Sequence, residues 1–276
     1  MGDYVKSLSK RMTCERRKEG YCLICGEYKS LTEDHVPPQC AVTISRTEQK
    51  LVTEAFANDQ PTVKGAPSKN GNKFKTICKG CNSALATGDQ EIGRVCKELN
   101  NKIRYYFSSA SSINSLVSVK INASEYIRAM VGHILAATSE DECKLEQRDS
   151  PYFTPMKNLV LGQTDSIDDT HDIYYWFYPR GHHLCAKILG YHNYGDVSAI
   201  SLLSFFPIAF LITEKGKKVH PPQATKLDSN NESLTLNLSL RNHNYIDFPF
   251  CTLMDGQFYM LPEQTCTISY PVKKDA

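Results

Sequence analysis

Two Cys-x-x-Cys pairs, Cys22-Leu-Ile-Cys25 and Cys78-Lys-Gly-Cys81, bracket the string Glu33-Asp34-His35-Val36-Pro37-Pro38. Four thiolates at this spacing form a soft, tetrahedral ligand set suited to a structural zinc, with no position left open for substrate. Zinc at Cys22, Cys25, Cys78 and Cys81 is therefore expected to act as scaffold. Chemistry then falls to Asp34 and His35, because a carboxylate beside an imidazole can divide the roles of hard-metal ligand and general base.

The surrounding chain has to position these groups, and its composition bounds how. At 276 residues and 41% hydrophobic content it can bury a real core in one large domain or two ordinary ones. Two are expected, 1–104 and 105–276. Its 11 cysteines follow a polar start, Met1-Gly2-Asp3-Tyr4-Val5-Lys6, and no apolar run approaches the ~18 residues of a membrane span. The expected compartment is the cytoplasm, without membrane association. There the paired knuckles point to metal rather than a disulfide framework, leaving Cys14, Cys40, Cys96, Cys143, Cys185, Cys251 and Cys266 as thiols.

The net charge of +2 hides an asymmetry. Residues 1–104 carry 18 Lys/Arg against 12 Asp/Glu, and residues 105–276 carry 14 against 18. Lys10, Arg11, Arg16, Arg17 and Lys18 precede the first knuckle, and Lys64, Lys69, Lys73, Lys75 and Lys79 lead into the second. A cationic surface beside a carboxylate metal site suits a phosphodiester, since phosphate contacts dominate affinity for nucleic acids. A solvated face is the plain alternative.

Residues 1 to about 20 pattern as a basic helix or arm. The cysteine unit opens with a turn at Cys25-Gly26-Glu27 and closes with a helix after Cys81, and Gln60 to Asn72, rich in Pro and Gly, is expected as an exposed loop. Residues 121–138 space their apolar positions as a buried helix does, with Asn122 or Ser124 as N-cap and His133 as a core or interface histidine. From about 171 the period becomes two. Ile173, Tyr175 and Phe177 alternate with Tyr174, Trp176 and Tyr178; residues 198–213 break at Pro207; Leu234 to Leu240 alternate with polar residues; and 257–261 form a short run. Gly181, Gly190, Gly216 and Asp255-Gly256 are expected turns. His171, His182 and His183 lack partners at ligand spacing and are expected to face solvent.

The segment from 20 to 104 resembles the HNH endonuclease superfamily, through Cys22-x-x-Cys25, Asp34-His35-Val36-Pro37-Pro38 and Cys78-Lys-Gly-Cys81-Asn82. The resemblance implies an α+β protein with an N-terminal ββα-metal unit braced by zinc knuckles of four cysteines, followed by a helix and a β-rich C-terminal region. It implies Asp34 and Asn82 as ligands of the catalytic cation and His35 as general base. Their hard oxygens suit Mg²⁺ or Mn²⁺. The middle Asn of the motif would fall at Lys73; Asn72 lies one residue early and is the candidate to clamp the loop behind the histidine. No Lys or Arg closely follows Asn82, so phosphate contacts fall to Arg94, Lys97 or the 64–79 segment. Bacterial variants joining a Glu-x-His-x-Pro-Pro string to a β-rich tail extend the resemblance and imply phage defence.

Plainer roles stand beside these: Asp34-His35 as a turn before the prolines, and Asn82 as an N-cap. The expected function is a cytoplasmic, metal-dependent endonuclease acting on DNA rather than RNA. A non-catalytic zinc-ribbon nucleic-acid-binding or adaptor protein is the alternative, an RNase the third reading, and a protein partner that licenses activity is left open.

Overall fold

The computed structural model describes residues 17–42, 46–56, 65–69, 72–109, 114–239, 241–262 and 266–272. The chain opens with β1 (Glu19–Tyr21), β2 (Tyr28–Val36), β3 (Arg46–Leu51), α1 (Val52–Phe56), β4 (Ala66–Lys69), β5 (Asn72–Cys78) and α2 (Lys79–Ser108). It continues through β6 (Leu116–Lys120), α3 (Ala123–Ala136), α4 (Phe153–Val160), β7 (His171–Phe177), β8 (His183–Asn193), β9 (Asp196–Phe205) and β10 (Ile208–Glu214). The last strands are β11 (Thr225–Lys226), β12 (Ser233–Asn237), β13 (Gln257–Met260) and β14 (Cys266–Pro271). The fold is mixed α+β, with strands concentrated in the C-terminal part.

Among the described residues the strands form three sheets. β1, β2 and β5 make a small antiparallel sheet, and β6 pairs with β12. The large sheet runs β11-β7-β10-β9-β8-β14-β3-β4, with β13 on β8 beyond the end of β14. Both faces of this sheet are covered. Ile173, Tyr175 and Phe177 join the core under the helices, while Tyr174, Trp176 and Tyr178 join a second core with Ile246, Phe248 and Phe250. Two-sided burial explains why β7 and β10 each carry an unbroken run of five apolar or aromatic residues, Ile173–Phe177 and Ile208–Ile212.

α2 buries Cys81, Leu85, Gly88, Ile92, Val95, Cys96, Leu99 and Ile103, a stripe at helical spacing. α3 is buried almost all round, and the Asn122 side chain accepts a hydrogen bond from Glu125 N–H at its start, so Asn122 rather than Ser124 is the cap. Its C-terminal end is fastened to β5, because Thr76 Oγ1 donates to the Ala136 carbonyl at 2.6 Å.

Several expectations shift. The boundary drawn at 104/105 falls inside α2, and β3 pairs with β14, so the two regions share one helix and one sheet. Within the expected 60–72 loop, Ala66–Lys69 is a strand on β3 and Asn72 opens β5. Gly190 lies within β8 against Met260 rather than in a turn, because β13 pairs there. His171 and His183 are buried, since the strands they open, β7 and β8, are covered on both sides, and half-buried His182 faces Asp247. The short helix α4 has no counterpart in the sequence reading. The basic arm over 1–16, Lys64 and Leu240 lie outside the described residues. No disulfide joins the described cysteines, and no helix among the described residues is long and apolar enough to cross a membrane.

Candidate functional site

The first knuckle is a tight turn. Cys22 N–H donates to Glu27 O and Gly26 N–H to Cys22 O, both at 2.9 Å, with Gly26 at φ +74°, where a Cβ would be strained. The second straddles the junction of strand and helix, so Cys78 ends β5 and Cys81 sits in the first turn of α2. All four Sγ atoms lie within 4.8 Å of one another, and Cys25 Sγ and Cys78 Sγ are 3.9 Å apart. Tetrahedral zinc with bonds of ~2.3 Å places sulfurs about 3.8 Å apart, so the ligand set fits. Cys78 N–H also donates to Cys22 Sγ at 3.3 Å.

The thiols perturb one another as such a cluster should. A hydrogen bond from Cys81 pushes Cys22 down to about 5; the same bond, then burial, pushes Cys81 up, and burial pushes Cys25 up to about 11. A metal would bind the set as thiolates and release the remaining protons.

β2 carries Asp34 and His35 between this cluster and the prolines. Its pairing with β5 puts Asp34 opposite Phe74, His35 opposite Lys73 and Val36 opposite Asn72, after an irregularity between Thr32 and Asp34. Alternation along the strand then turns Asp34 and Val36 inward, with Phe74 and Asn72, while His35 is only half-buried beside exposed Lys73. Burial, then the Lys73 charge, lowers the His35 pKa, which favours the neutral ring at pH 7. Lys73 pairs with Glu33 at 3.1 Å.

Asn82 reaches across from the first turn of α2. Its amide nitrogen donates to Thr32 Oγ1 at 3.2 Å and to the Glu33 carbonyl at 3.1 Å, which pins the start of the helix to the segment holding Asp34 and His35. Both amide hydrogens are thereby used, and Oδ1 is the atom left to face a ligand. Asn72, the residue expected as the loop clamp, opens β5 opposite Val36, the residue after His35. It is buried, and its Oδ1 accepts from Ser269 Oγ at 2.6 Å, tying β5 to β14.

The structure adds two residues that the motifs do not contain. His133 of α3 lies with Nδ1 2.8 Å from Asp34 Oδ2 and Nε2 2.6 Å from Asp89 Oδ1. Burial alone would lower its pKa, but Asp34 and then Asp89 outweigh it and push His133 up to about 10, so both ring nitrogens carry hydrogen. A Cβ on Gly88 would lie 2.5 Å from Ala129 Cβ, and one on Gly132 would run into the Leu85 side chain, so α2 and α3 touch where Asp89 and His133 follow these glycines. The sequence signal was a histidine inside an apolar helix, since a buried polar group requires a partner. No protein-family model matches this chain, and no curated protein or solved structure matches it.

Proposed function

We propose that the chain is a metal-dependent HNH-type endonuclease that hydrolyses phosphodiester bonds in DNA, built on a zinc-braced ββα-metal unit formed by β2, β5 and the start of α2. The observation that supports this most is the reach of Asn82 to the Glu33 carbonyl, which holds a hard oxygen donor on the helix next to the strand segment carrying Asp34 and His35. Asp34 and Asn82 would hold Mg²⁺ or Mn²⁺, which when bound would supply positive charge to a scissile phosphate and its leaving oxygen. His35, in its neutral form, takes the proton of the attacking water. Lys73, Lys75 and Lys79 lie along β5 and the helix start, where phosphate contacts would form. The resemblance to long HNH variants extends the proposal to phage defence in the cytoplasm, with control by a protein partner left open.

One observation favours the adaptor reading. Asp34 Oδ2 is engaged by His133 in a buried pair, as a purely structural carboxylate would be. A nicking assay on supercoiled plasmid with Mg²⁺, Mn²⁺ or EDTA, beside labelled RNA, separates the readings. Nicking is expected with either ion and not with EDTA, and His35→Ala should lose ~10² to 10⁴ in rate while keeping zinc and DNA binding. Cleavage of RNA alone would make the chain an RNase, and wild type that cuts neither with either ion would favour the adaptor.

A further inference from the structure

The His133 ring is buried in an otherwise apolar stretch of α3, and both of its nitrogens face carboxylates. Asp34 is buried with it, whereas the Asp89 side chain on α2 is 30% exposed. Three ionisable groups from three elements thus converge, with the buried His133 ring between two carboxylates. Packing does not account for that, because apolar residues of similar volume serve stability as well as or better than buried ion pairs. A metal does not account for it either, since the ring stands between the carboxylates and each nitrogen is at hydrogen-bonding distance. What the arrangement does achieve is orientation. A ring held at both nitrogens by charge-assisted bonds cannot turn without breaking one of them, so it fixes the Asp34 carboxylate and which of its oxygens is left for a cation.

We propose that His133 is a positioning residue for Asp34, held from its far side by Asp89, so that the site is completed by a helix lying beyond the cysteine unit. This rests on the reading of Asp34 as a ligand of the catalytic cation. Hydrogen-bond partners of metal ligands commonly control affinity or activity by about 10- to 100-fold. The close approach of α2 and α3 at Gly88 and Gly132 brings Asp89 within reach of the ring, and Thr76 anchors the end of α3 to the same strand pair that carries Asp34.

The test titrates Mn²⁺ into the zinc-loaded full-length chain by electron paramagnetic resonance, for wild type, Asp34→Ala, His133→Gln, Asp89→Ala and Asp89→Asn. Zinc content, thermal midpoint and the Mg²⁺ concentration for half-maximal nicking are measured alongside. Wild type should bind Mn²⁺ at a site lost in Asp34→Ala. His133→Gln and Asp89→Ala should weaken that site by about 10- to 100-fold and raise the Mg²⁺ requirement more than they lower the saturating rate. Asp89→Asn keeps an acceptor for Nε2–H and should recover most of the affinity, a rescue that a loss of packing would not show. Wild-type Mn²⁺ affinity in both His133→Gln and Asp89→Ala would overturn the positioning role while leaving Asp34 a ligand. Absent Mn²⁺ binding, or binding unchanged by Asp34→Ala, would overturn both. Should His133→Gln fail to fold, the two variants of the partly exposed Asp89 decide.

Discussion

Substituting Gly88 by alanine tests the helix contact on which the acid–histidine cluster depends. In an isolated helix the change would stabilise by roughly 1 kcal/mol, because glycine gives up more backbone freedom than alanine. In the folded chain the new Cβ would stand 2.5 Å from Ala129 Cβ and 2.7 Å from the Glu125 carbonyl oxygen. Carbon atoms pack at about 3.5–4.0 Å, and neither Ala129 Cβ nor a backbone oxygen can rotate away, so α2 and α3 would have to part by about 1 Å. Overpacking of this kind costs about 1–3 kcal/mol. The same movement would stretch the 2.6 Å bond between Asp89 and His133 beyond hydrogen-bonding range, removing a charge-assisted bond worth about 1.5–3 kcal/mol. The net expectation is a loss of about 1.5–5 kcal/mol, measured by urea unfolding of the zinc-loaded full-length chain. Gly80 in the same helix is the control, since its Cβ would meet only Cys78 Sγ at 3.9 Å and Gly80→Ala should be neutral or mildly stabilising. A Gly88→Ala protein as stable as wild type, or more so, would refute the claim that these helices are in close contact.

Two further perturbations address other parts of the molecule. Cys78→Ser should lower both bound zinc and the unfolding midpoint, because one lost thiolate opens a closed site that ties β5 and α2 to the first knuckle; full zinc occupancy by metal analysis would count against the assignment of all four cysteines as ligands. Burial, then neighbouring His182, lowers the His183 pKa from 6.5 to about 4, so its unprotonated form contributes stability that is complete above pH 6.5, declines as pH falls and is gone below about 4. That contribution is at most about 3 kcal/mol, and His183→Leu should flatten the acid limb of a pH–stability curve; an unchanged limb would show that His183 does not govern it.

What the sequence disclosed follows from how local each signal is. The Cys-x-x-Cys spacings and the period of α3 are short-range patterns, and each has a direct counterpart in the structure, a cluster of four thiols and a buried helix. β7 showed its two-sided burial in an unbroken run of large apolar residues. The join between the two expected regions was not visible, because β3 belongs to the large sheet only through its pairing with β14, more than two hundred positions later in the chain. Asp89 was hidden for a related reason. On the sequence it is one polar residue in a polar stretch of α2, and its role depends on which helix crosses at Gly88.

The long insertion between the knuckles poses a physical question, since 53 positions separate Cys25 from Cys78 and a freely closing loop of that length would hold its ends only weakly. Four separate ties act on those ends. The cysteine cluster joins the first turn to the end of β5, Asn82 joins α2 to β2, Thr76 joins β5 to α3, and Asn72 joins β5 to Ser269. The insertion is itself used, because β3 and β4 extend the large sheet from the far side of β14. Two of the four ties end on residues beyond 104, and so does the His133 bond to Asp34. Cutting the chain there would therefore leave Asp34 without its buried partner and β5 without two of its anchors, even with zinc in place. In physical terms, the C-terminal region is part of the scaffold that holds Asp34 and Asn72 where they stand.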